Sequence, residues 1–95
     1  MKFEKVFFTG HAIQRMFERN IDEKDILSII KQGEIIENYP DDKPYPSFLI
    51  SGNIGGKPLH VVTALDGKAK TCYVVTVYYP DPELWEPGLK KRRKS

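Results

Sequence analysis

The sequence predicts an α+β domain in which an N-terminal hairpin of two helices packs on one face of a four-stranded antiparallel sheet, in the order ααββββ. Three observations predict it. Apolar residues recur at helical spacing through residues 10–33, the period then changes to alternation, and the links between the later segments are short. Ninety-five residues hold one such core and no second, so residues 1–89 read as a single domain and 90–95 as a basic, disordered tail.

The elements follow in order. Thr9 is placed to cap a helix over residues 10–19, whose Ala12, Ile13, Met16 and Phe17 share one face. His11, Arg15 and Glu18 share the opposite face, Arg19 lies at the rim, and Asn20 tolerates the left-handed turn that ends the helix. Asp22 caps the second helix, Ile26, Leu27, Ile29 and Ile30 form its buried stripe, and Gly33 stops it. Alternation then gives strands around Ile35–Tyr39, Ser47–Ser51, Leu59–Leu65 and Thr71–Tyr79. The prolines of 80-PDPELWEPG-88 exclude it from a central ladder, and Trp85 is expected to pack back as an anchor.

One sheet face is expected to stay open. Leu59, Val61, Thr63 and Leu65 should lie under the helices with Tyr73, Val75, Val77 and Tyr79. His60, Thr76 and Tyr78 then gather on the open side, with His60 opposite Thr76 if the last hairpin has a three-residue loop, Gly67-Lys68-Ala69.

Charge is uneven along the chain. The net charge of +2 conceals a body, residues 1–89, with ten basic and thirteen acidic groups, followed by the run Lys90, Lys91, Arg92, Arg93 and Lys94. Only that end resembles a salt-sensitive nucleic-acid arm. The sequence has no apolar stretch long enough to span a membrane and no secretory h-region. A single cysteine, Cys72, excludes an intrachain disulfide, and the expected compartment is the cytoplasm.

Chemistry has few carriers. Only His11 and His60 occur, and no zinc, dinucleotide, Walker or nucleophile-elbow motif is present, so neither metal nor cofactor is expected. His11, Arg15, Arg19, His60, Thr76 and Tyr78 are nevertheless the residue types that metal-free RNA cleavage uses. Histidine supplies an acid or base near neutral pH, and arginine grips phosphate with parallel donors. The bland alternative pairs Arg15 with Glu18 or Glu23 and leaves His60 a satisfied strand residue.

The segments HAIQRMFERNI (11–21), LHVV (59–62) and TVY (76–78) resemble a bacterial family of domains of unknown function, numbered 4258, near the RelE-like toxins. The resemblance spans roughly residues 7–80. It implies a metal-independent endoribonuclease of the barnase–EndoU–colicin–RelE class, with His11, Arg15, His60, Thr76 and Tyr78 at the site. RNA and a small antitoxin encoded nearby are the implied partners, with Arg15, Arg19 and the basic run contacting RNA. A non-catalytic interaction or RNA-binding module on the same fold is the alternative.

Overall fold

The computed structural model describes residues 2–92, and in them the chain forms β1 (Lys5–Phe8), α1 (Gly10–Arg19), α2 (Glu23–Gln32), β2 (Glu34–Tyr39), β3 (Ser47–Ile54), β4 (Lys57–Asp66) and β5 (Thr71–Tyr78). The sheet has five strands in the order β1-β5-β4-β3-β2. β1 runs parallel to β5, pairing Lys5 with Thr71 and Phe8 with Val74, and the other neighbours are antiparallel. This mixed sheet corrects the expected four-stranded antiparallel one. The missing strand is only four residues, too short to display an alternation, and its partner lies at the far end of the chain.

The helices also depart from expectation. α1 rests on β5, whereas α2 rests on β3 and β4, so the two do not form a clear hairpin. Thr9 explains α1's attachment. Its hydroxyl oxygen accepts from the Ala12 amide at 3.1 Å and donates to the Val75 carbonyl at 2.9 Å, capping the helix and tying it to β5. Asn20, with φ of 56°, ends α1 in the left-handed region.

Gly33 ends α2 for a different reason. Its φ of −73° is open to any residue, but a Cβ there would sit 2.5 Å from the Ile29 carbonyl and 2.7 Å from that of Ser51. The glycine lets the helix end approach β3. Between these layers lies a core of Ala12, Ile26, Ile29 and Ile30 against Ile50, Leu59, Val61, Cys72, Val74 and Val77.

Two local features set the faces of β5. Four residues, Gly67 to Lys70, separate the paired Asp66 and Thr71, instead of the expected three. Leu65 therefore faces Cys72 and Thr63 faces Val74, so Cys72 and Val74 lie in the core where Tyr73 and Val75 were expected. The ladder then skips Val75, pairing Val62 with Thr76, and this bulge restores Val77 to the core. His60 consequently stands opposite Tyr78 and not Thr76. No helix among the described residues is long and apolar enough to cross a membrane.

Candidate functional site

His60 projects from β4 onto the sheet face away from the helices, since its neighbours Leu59 and Val61 are core residues. That face is not open there. Residues 80–92 fold back over it as a strap, and His60 is 0% exposed. Trp85 meets the imidazole edge-on with centroids 4.6 Å apart, and Tyr78 meets it at 5.3 Å from the strand below. Arg92 lies over the Trp85 ring at 5.7 Å and bridges to Trp85 through the backbone.

The hydrogen bonds place the proton of the neutral ring. Nε2 lies 2.7 Å from the Leu89 carbonyl, which can only accept, so the proton sits on Nε2. Nδ1 then accepts from the Tyr78 hydroxyl at 3.2 Å. Burial lowers the His60 pKa below its ordinary value, partly opposed by the Leu89 carbonyl, and this favours the neutral ring. Burial likewise raises Tyr78, reinforced by Tyr39 and opposed by Arg92. Leu89 delivers its carbonyl from the left-handed region, at φ 58°, immediately after Gly88 at φ 94°. A conformation that costs a leucine about 1–2 kcal/mol is thus held where it satisfies a buried histidine.

The other expected residues do not converge on this point. His11 is exposed in the first turn of α1, a helix that covers the core face, while His60 points from the opposite face. Among the described residues no hydrogen bond or ring contact joins the two histidines. Arg15 pairs with Glu18 at 3.6 Å across one turn, and Arg19 has no ion pair among the described residues. Thr76 and Tyr78 share His60's face, but only Tyr78 touches it. Cys72 is buried and its thiol is pushed up to about 11 by that burial, which removes it as a nucleophile. Among the described residues no group of three or more His, Cys, Asp or Glu side chains gathers as a metal site.

The basic run divides. Lys90 reaches Glu34 at 3.1 Å and Arg92 seats on Trp85, so this part belongs to the folded strap. Lys91 is exposed, its carbonyl accepting from the Glu86 amide. Arg93 and Lys94 lie outside the described residues. Sequence reasoning anticipated Trp85 as an anchor and missed what it anchors to. The Leu89 carbonyl carries no side-chain signal, though Pro87-Gly88 marks a turn that could have indicated a return toward the sheet.

Residues 8–79 match the family described as a domain of unknown function, DUF4258, which is most of the chain. No curated protein and no solved structure matches. The match supports the family and does not extend to RelE-like ribonucleases.

Proposed function

The chain belongs to the DUF4258 family, and we propose that it serves as a cytoplasmic RNA-binding domain whose buried histidine is spent on structure instead of cleavage. The observation that carries this reading is the sealed imidazole. Both ring nitrogens of His60 are engaged and the ring is 0% exposed, so no substrate hydroxyl reaches it in this conformation. A general base must come within hydrogen-bond reach of the proton it removes. Support for RNA as the ligand comes from Lys90, Lys91 and Arg92 on the strap, followed in sequence by Arg93 and Lys94, on an otherwise acidic body.

The test compares the full chain with a variant lacking residues 90–95, by anisotropy of a labelled single-stranded RNA across a salt series. The full chain is expected to bind with a log–log salt slope of about −0.7 per phosphate neutralised, and the variant with a shallower one. No cut product is expected, with or without a chelator. Equal slopes would remove the basic run from the reading.

A second reading, a metal-independent endoribonuclease of toxin–antitoxin type held by a small antitoxin, is favoured by one contact. The His60–Tyr78 contact at 3.2 Å sets side by side two groups of the kind that serve as acid or base, on the face the strap covers. Cleavage by the wild type that disappears in His60→Gln would establish it over the first.

A further inference from the structure

Beyond the strap, the same sheet face carries a row of aromatic rings that no part of the core requires. Phe7 on β1 stacks on Tyr73 of β5 with centroids 5.8 Å apart and planes 20° apart. Tyr73 stacks in turn on Tyr45, from the 40–46 loop, at 5.6 Å and 4°. Phe7 is left 55% exposed. Beside Tyr45 and Tyr73 runs a groove of about 520 Å³, floored by Val62, Ala64 and Val75 and rimmed by Asp42, Lys43 and Ser47. That is the size and lining of a site for a flat organic group.

The charges around the row narrow the class. Lys5 shares the outward side of β1 with Phe7, two residues away, and Lys43 precedes Tyr45 by the same interval at the other end. Neither lysine has an ion pair among the described residues, so each can meet an anion. The nearby carboxylates are partly committed. Asp66 accepts from the Lys68 and Ala69 amides and lies beside the Tyr45 hydroxyl. Asp42 accepts from the Ser47 hydroxyl through Oδ2, which leaves Oδ1 to accept at the rim of the groove. A row of stacked rings with a cation toward each end and one acceptor at the edge of its groove has the features of a site for a nucleotide strand. Bases stack on aromatic faces, and their backbone needs a positive charge on either side.

We infer that the Phe7–Tyr73–Tyr45 row seats an unpaired stretch of RNA. One base stacks on Phe7 and the next lies in the groove beside Tyr45, with Lys5 and Lys43 on the flanking phosphates. Asp42 Oδ1 accepts from an exocyclic amino group, which cytosine, adenine and guanine carry and uracil lacks, so the groove disfavours uracil. This rests on the RNA-binding reading above for its ligand class and adds the place and the selectivity.

The experiment measures anisotropy of labelled oligo(rC), oligo(rA) and oligo(rU) of about eight nucleotides, within the range one small domain covers. Partners are the full wild-type chain, Phe7→Ala, Tyr45→Leu, Lys43→Ala, Asp42→Ala and the chain lacking residues 90–95. Wild type is expected to bind oligo(rC) and oligo(rA) more tightly than oligo(rU). Phe7→Ala and Tyr45→Leu should each lower affinity by about fivefold or more at fixed salt, the low end of base–aromatic stacking. Lys43→Ala should flatten the salt slope by about 0.7, one phosphate's worth. Asp42→Ala should erase the preference over uracil. Phe7 is exposed, so its variant keeps the test meaningful if the loop variants misfold. Unchanged affinity in Phe7→Ala and Tyr45→Leu, with binding lost on removing residues 90–95, overturns the groove and leaves the RNA-binding reading standing. Failure of the full chain to bind any of the three oligonucleotides overturns both.

Discussion

The outer face of the sheet is two surfaces made by the same strands. At the His60 end, the chain roofs its own sheet, and His60 sits beneath Trp85 and the Leu89 carbonyl with every polar atom answered. At the Tyr73 end, among the described residues, only the 40–46 loop reaches the face, and three rings stack in a row with Phe7 half in solvent. The difference teaches where to look for function. A histidine, the residue most associated with catalysis, has become packing, while ordinary strand-forming aromatics occupy the accessible half.

The strongest way to break this comparison is to remove the roof. Trp85 is 4% exposed and caps His60, so Trp85→Ala should lower the unfolding free energy by about 3 kcal/mol in a urea titration. An unchanged midpoint would make the strap an ornament and reopen His60 to solvent chemistry.

A smaller effect should come from His60 itself. His60→Ala strands the Leu89 carbonyl and the Tyr78 hydroxyl, at a cost of about 2 kcal/mol. The pH dependence gives a sharper check. Because the folded pKa lies below the ordinary 6.5, the unfolded chain binds the proton more readily. Stability is then fully present above 6.5 and declines as pH falls toward the lowered folded value. His60→Gln should flatten that decline in urea midpoints measured between neutral and acid pH. A wild-type profile with the opposite slope would mean the ring is charged in the fold.

The smallest effect belongs to the bare half. Phe7→Ala should cost only about 0.5–1 kcal/mol, the worth of one cross-strand aromatic contact, while its effect on RNA binding is larger in proportion. A loss as large as that of Trp85→Ala would erase the distinction between the two halves.

Much of the framework was legible because its signals are local. Thr9, Asn20 and Asp22 bound the helices by capping chemistry that needs no distant partner. The alternation of Leu59 to Leu65 marks β4 and puts His60 on the outer face. What escaped depends on chain segments far apart or on parity. β1 pairs with a strand that begins at residue 71, so Lys-Val-Phe-Phe carries no hint of its neighbour. The four-residue turn and the Val75 bulge invert the faces of β5 twice, and no residue type betrays a bulge there. His60 as a satisfied strand residue was one of the two readings open in the sequence, but its partner was illegible for a third reason, because a backbone carbonyl supplied by Leu89 satisfies it. The same holds for the ring row, whose members come from β1, β5 and a proline-rich loop.

The parallel pairing of β1 with β5 also imposes an order on birth. Thr9 is anchored to Val75, 66 residues later, and α1 has its seat on β5. A ribosome adds about 5–20 residues per second, so the N-terminal arm emerges several seconds before the strand that receives it. During that interval Val6, Phe8 and Met16, which end against the core, have no sheet to cover them. The first two elements of the chain cannot take their native seat until β5 has emerged.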